Sequence, residues 1–101
     1  MRIDVVGRKV TISDRIREHA EKRCEKLERH LDTIQQITFT VDQDGSPKPA
    51  FAVELVVDVE HHPNFVAHDQ GEDLFAVIDA ATDKAARQLH DFKERLKLNN
   101  R

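Results

Sequence analysis

The chain has 101 residues, 39% of them apolar and 35% charged, with a formal net charge of −3. This composition describes one soluble domain over residues 1–101, large enough for a modest core, and nowhere does an apolar run approach the length of a membrane span. The single cysteine excludes an internal disulfide, and five Phe with no Trp or Tyr make poor platforms for stacking single-stranded bases.

The net charge averages over unlike segments. Residues 1–41 carry nine basic and seven acidic side chains, residues 42–83 one basic and ten acidic, and residues 84–101 six basic and two acidic. A low overall charge therefore does not exclude an anionic partner, because the distribution of charge governs binding.

In chain order, Ile3, Asp4, Val5 and Val6 form a short strand ended by Gly7, and Val10 and Ile12 make a second apolar step. Ser13 is a good N-cap, with Asp14 favourable at the positive end of the helix that follows. Over residues 13–31, Ile16, Ala20, Cys24, Leu27 and Leu31 fall on one narrow stripe at 3.6 residues per turn. Cys24 is thus a small core residue rather than a nucleophile.

The remaining surface of this helix is sorted by charge. With Ala20 at zero, Asp14, Glu18, Glu21, Glu25 and Glu28 lie between about 80° and 160°. Arg15, Lys22, Arg23, Lys26 and Arg29, with His19 and His30, lie between about 180° and 300°, and only Arg17 sits among the acids. Helix stability alone is served equally well by mixed charges, so segregation points to a polyanion-binding flank. A solvated face with i,i+4 pairs such as Glu18–Lys22 and Glu25–Arg29 is the alternative.

Residues 36–42 alternate, with Ile37, Phe39 and Val41 on one face and Thr38, Thr40 and Asp42 on the other. Asp44, Gly45, Ser46, Pro47, Lys48 and Pro49 are turn chemistry. The clearest strand follows: Phe51, Val53, Leu55, Val57 and Val59 alternate with Ala52, Glu54, Val56, Asp58 and Glu60. His61, His62, Pro63 and Asn64 make a second turn, and residues 65–70 a fourth strand. Gly71, Glu72 and Asp73 open a final helix with the stripe Leu74, Ile78, Ala81, Ala85, Leu89, Phe92 and Leu96, before the polar end Asn99, Asn100 and Arg101.

The order β-α-β-β-β-α predicts an α+β fold: a four-stranded mixed sheet with two helices packed on one face. Strands 1 and 2 are expected parallel through a right-handed crossover, the other neighbours antiparallel. The open face would carry Asp4, Asp42, Glu54, Asp58 and Glu60, and the helices most of the positive charge. The molecule is expected to be electrically two-sided.

Gly7, the run Leu27-Glu28-Arg29-His30, and the segment Asp73-Leu74-Phe75-Ala76-Val77-Ile78-Asp79 leading into Asp83-Lys84, Arg87-Gln88-Leu89 and Lys93-Glu94-Arg95-Leu96-Lys97 together resemble the short ribosome hibernation promoting factor family. This family is also described as ribosome-associated inhibitor A or the sigma-54 modulation protein family. The resemblance covers nearly the whole chain and is strongest at the two helices. It implies a cytoplasmic stress-response protein that sits on the small ribosomal subunit, in the channel used by messenger and transfer RNA, and inhibits translation. It leaves room for ribosome-dimer formation with a helper factor.

Carried over by position, ribosomal RNA contacts fall on Arg23, Lys26 and Arg29 of the first helix and on Lys84, Arg87, Lys93 and Lys97 of the second. Lys22 joins them from the helical wheel. With the sequence ending at Arg101, the short form is expected, without a C-terminal dimerisation domain or extended tail. The His61–Asn64 turn and the acidic segment 42–83 depart from the family pattern.

Three other readings compete. A double-stranded RNA-binding domain shares the α-β-β-β-α order but wants cations at the start of its last helix, where this chain has Glu72, Asp73, Asp79 and Asp83. A protein-binding regulatory domain would use the acidic open sheet. An enzyme is the least supported, for there is no Gly-rich phosphate loop, nucleophile motif or acid–base pair, and no cofactor or DNA partner is expected. His61, His62 and His68 invite a metal site across the last hairpin, but solvent-exposed turn and strand histidines are the ordinary case. Asp79 and Asp83 read as a solvated helix surface, with Arg87 a partner for Asp83.

Overall fold

Alternation in β3 (Ala50–Val59) sets the sheet: Val53, Leu55, Val57 and Val59 are buried, and the residues between them face outward. The computed structural model describes residues 1–44 and 50–99. Gly45, Ser46, Pro47, Lys48 and Pro49 of the expected turn, and Asn100 and Arg101 of the expected polar end, lie outside the described residues. Around β3 stand β1 (Arg2–Arg8), β2 (Ile34–Asp44) and β4 (Phe65–Gly71), in the order β1-β2-β3-β4. As expected, β1 pairs parallel with β2, and β2–β3 and β3–β4 are antiparallel.

The register lines up Val5, Phe39, Leu55 and Ala67 across all four strands on the buried face. The next row, Val6, Thr40, Glu54 and His68, lies on the open face. Both helices cover the buried face: α1 (Asp14–Glu25) lies against β1, and α2 (Leu74–Asn99) against β3 and β4. The stripes do what their spacing implies. Ala20, Cys24, Leu27 and Leu31 are buried from the first helical segment, as are Leu74, Ile78, Ala81, Ala85 and Leu89 from α2. Leu96 is a correction: at 40% exposed it lies past the end of the contact, because the last turns of α2 run beyond the core.

Ser13 caps α1 by accepting from the Ile16 N–H at 3.2 Å. The expected single helix over residues 13–31 is shorter than its periodicity suggests. It tightens after Glu25 into a 3-10 turn, Lys26–Arg29, closed by the His30 N–H on the Leu27 carbonyl at 3.0 Å. The tightening brings Leu27, Leu31 and Ile34 into the core while the chain reverses into β2. At the end of β1 a Cβ on Gly7 would collide with the Val10 carbonyl oxygen and Ile12, so glycine is required where residues 8–12 fold back on the strand. Lys9 in that return sits at φ 63°.

Helix side chains cover both sheet edges. Arg17 donates to the Val5 carbonyl on β1 at 3.3 Å, Lys84 to the His68 carbonyl on β4 at 2.9 Å, and Gln88 to the Val66 carbonyl at 3.0 Å. Open edges invite pairing with another chain, and these donors occupy three of the outward acceptors such pairing would use.

Candidate nucleic-acid interface

The two helices run parallel and side by side, as shown by His19 and Arg23 meeting Asp79 and Asp83 while Arg29 and Lys93 line one cleft further along. The basic flank of α1 therefore faces α2, and its effect depends on what α2 presents at each level. In the first half α2 presents acids. Arg23 places Nε 3.2 Å from Asp79 Oδ1 and from Thr82 Oγ1, and an Nη 2.6 Å from Asp83 Oδ1, while His19 Nε2 is 2.8 Å from Asp79 Oδ1. Thr82 is buried, accepts from Arg23, and its hydroxyl reaches the Ile78 and Asp79 carbonyls.

Two expectations are corrected here. Asp79 and Asp83 are not a free solvated surface, and the partner of Asp83 is Arg23 rather than Arg87. Of the four acids that argued against a phosphate near the start of α2, Asp79 and Asp83 are matched by Arg23, and Asp73 caps the helix by accepting from the Phe75 and Ala76 N–H groups.

In the second half α2 becomes net positive, with Lys84, Arg87, Lys93, Arg95 and Lys97 against Asp91 and Glu94, and the flanks add. Past Asp83 come Arg87 and Lys93, level with Lys26 and Arg29 at a helical rise of about 1.5 Å per residue. Among the described residues Lys26, Arg29, Arg87 and Lys93 make no side-chain hydrogen bond or ion pair, and the first three are exposed. Arg29 and Lys93 share a cleft of about 290 Å³ with Glu28, His30, Leu31 and Asp32. No catalytic arrangement is needed for such a strip: it offers positive charge on a rigid support.

The other four expected contacts are placed differently. Lys22 is exposed and pairs with Glu18 at 3.0 Å, and Lys97 reaches Glu94 at 3.5 Å; both pairs are solvent-bathed and easily exchanged. Arg23, with its side chain only 24% exposed, ties α1 to α2. Lys84 covers the β4 edge and lies 3.8 Å from Asp69. Neither role was visible from helical spacing.

The electrical asymmetry is present but moderate. The helices and the 3-10 turn hold eleven of the sixteen Lys and Arg and nine of the nineteen acids, a net +2; the strands hold two Arg against six acids, a net −4. On the open face Asp4 is met by Arg2 at 3.2 Å and by Gln36 at 2.9 Å. A cleft of about 450 Å³ there mixes Arg8 and Lys84 with Asp42, Glu54 and Asp69.

The histidine grouping is not formed. His62 packs on the helical side, stacked on Phe65 at 4.5 Å and against Phe92 at 4.4 Å, whereas His68 stands on the open face beside Glu54. Cys24 is fully buried, and burial pushes its thiol up to about 12, with Glu21 acting in the same direction. It stays protonated and unreactive.

Fold and site together define a two-layer α+β domain with four exposed or half-exposed cations, Lys26, Arg29, Arg87 and Lys93, on its helical side. The family model described as Sigma 54 modulation protein / S30EA ribosomal protein matches residues 3–97, and the chain belongs to that family. It is 32% identical over 97 residues to the ribosome hibernation promoting factor of Escherichia coli K12, covering 96% of this chain and 98% of that one. The ribosome hibernation promotion factor of Staphylococcus aureus is 27% identical over 101 residues, which span all of this chain and 53% of that longer protein.

Among solved structures, a ribosomal subunit interface protein from Coxiella burnetii superposes with a TM-score of 0.83 at 23% identity, covering 93% of this chain and 99% of that one. The N-terminal domain of Thermus thermophilus Protein Y gives 0.79 at 28% identity, covering 91% and 99%.

Proposed function

We propose that this protein is a ribosome hibernation factor: it binds the small ribosomal subunit through ribosomal RNA, fills the channel used by messenger and transfer RNA, and keeps the ribosome idle. The observation that carries the reading is the change of sign along α2. Beside it the basic flank of α1 is neutralised by Asp79 and Asp83 and then, past Asp83, reinforced by Arg87 and Lys93. Family membership and the names of the relatives support the same partner.

Lys26, Arg29, Arg87 and Lys93 form the centre of the contact, and Lys22 and Lys97 join by exchanging a carboxylate for a phosphate. Arg23 and Lys84 hold the scaffold in place, with Lys84 at the rim of the contact. Phosphate and sugar contacts of this kind read the shape of folded RNA rather than its sequence. Inhibition follows from occupancy alone, with no chemical step and no cofactor, in the cytoplasm where ribosomes work. No helix among the described residues is long and apolar enough to cross a membrane.

A second reading rests on the open sheet face, where exposed Val6 and Val66 stand among Asp4, Asp42, Glu54 and Asp58 and offer a surface to a basic protein segment. Competition on purified small subunits separates the two. Binding by this protein is expected to exclude messenger and initiator transfer RNA, and stable simultaneous occupancy would overturn the channel assignment.

A further inference from the structure

Of the five Phe, Phe39 is fully buried and Phe51, Phe65 and Phe92 pack against the core, but Phe75 is 37% exposed. It follows Leu74 in the first turn of α2, about 100° away from the buried stripe, so its ring faces the interhelical groove. Asp73 fixes the backbone there by accepting from the Phe75 and Ala76 N–H groups at 3.1 and 3.4 Å, which also turns that carboxylate toward its own helix.

Around the ring is a built environment. The Arg15 guanidinium carbon lies 5.9 Å above the ring centroid, and His19 meets the ring edge-to-face at 5.1 Å. His19 is held in turn by Asp79. Arg15, Glu18, His19, Lys22 and Phe75 enclose a cleft of about 220 Å³, in which Glu18 is occupied by Lys22. An aromatic floor, an exposed-side guanidinium above it that lifts to admit a base, and an ammonium two turns along that exchanges Glu18 for phosphate match the parts of an unpaired nucleotide. Its base has two flat faces, and its flanking phosphates are anionic.

We propose that the cleft of Phe75, Arg15, His19 and Lys22 takes one unpaired nucleobase of an RNA strand, stacked between the Phe75 ring and the Arg15 guanidinium. This rests on the ribosomal RNA reading above and adds a base contact to it. The cleft and the cationic strip lie along the same pair of parallel helices, with the Arg23–Asp79–Asp83 contacts between them. Arg15 and Lys26 are eleven residues apart, about 16 Å along the axis. A single-stranded segment a few nucleotides long reaches from one to the other.

The test uses the full chain with two probes of equal charge: an octamer of riboadenylate and an octamer of abasic ribose phosphate, titrated at fixed salt by fluorescence anisotropy. Wild type is expected to prefer the adenylate octamer by about tenfold, the scale of one base–aromatic stack. Phe75→Leu, which keeps an apolar side chain at a half-exposed position, loses that preference without losing affinity for the abasic strand. Phe75→Tyr retains it, and Arg15→Lys, which keeps charge but not the plane, loses part of it. Equal affinity of wild type for both octamers, or a preference that survives Phe75→Leu, overturns the base site. If wild type still pellets with small subunits in the same buffer, the ribosomal reading survives that result. If it binds neither octamer nor ribosomes, both readings fall.

Discussion

Arg23→Ala separates a structural role from a ligand-binding one at the most connected side chain of the interface. Arg23 meets Asp79, Asp83 and Thr82 at 3.2, 2.6 and 3.2 Å, and its side chain is 24% exposed while those of Asp79 and Asp83 are 45% and 67% exposed. Hydrogen bonds to charged groups contribute about 1.5–3 kcal/mol when well shielded. Here both carboxylates regain water once the guanidinium is removed, so the sum is discounted to roughly 1–2 kcal/mol. In a domain of this size that lowers Tm by about 5–10 °C. Thermal unfolding by circular dichroism reads it, and a cycle with Asp83→Asn should return a coupling of roughly 0.5–1 kcal/mol. An Arg23→Ala protein as stable as wild type but unable to bind ribosomes would refute the clamp and return Arg23 to the RNA contacts.

Three further outcomes follow from the fold. Cys24 should resist alkylation in the native protein. Because its thiol is held near 12 when folded against 9.0 when exposed, the folded state keeps its proton between those values while the unfolded state loses it. Its contribution is therefore complete below pH 9 and falls by about 1.4 kcal/mol per pH unit above it, a slope that Cys24→Ala removes from the alkaline unfolding curve. Replacing Lys84 by Met and Gln88 by Leu together uncovers the His68 and Val66 carbonyls, and sedimentation velocity should show self-association; a monodisperse monomer would deny these side chains their edge-covering role. Gly7→Ala forces the Val10 carbonyl away from β1 and should cost about 1–3 kcal/mol in urea unfolding.

Strand alternation and the two helical stripes made the fold legible, because burial of a sheet face and of a helix face each impose a period on the sequence. Phe39, Leu55, Ala20 and Ile78 all lie where that period puts them. The helix end was not legible: Leu27 and Leu31 keep the 3.6 period through a 3-10 turn that only the reversal into β2 explains. Charge was read half correctly. The basic flank of α1 was visible, but a helical wheel describes one helix at a time, so it could not show that Arg23 faces Asp83 while Arg29 shares a cleft with Lys93. Lys84 counted as a surface cation for the same reason, since nothing local reveals a β4 carbonyl within reach. Phe75 was passed over because a low aromatic content says nothing about which ring stays exposed.

On the proposed function, four cations, Lys26, Arg29, Arg87 and Lys93, grip ribosomal phosphate. Each phosphate contact contributes about −0.7 to −0.9 to the slope of log affinity against log salt. The decisive measurement is that slope for small-subunit binding by wild type and by the variant with all four replaced by Ala, both shown to be folded. The variant slope should be shallower by about 3, with affinity sharply reduced at low salt. An unchanged slope and affinity would contradict the proposed contact.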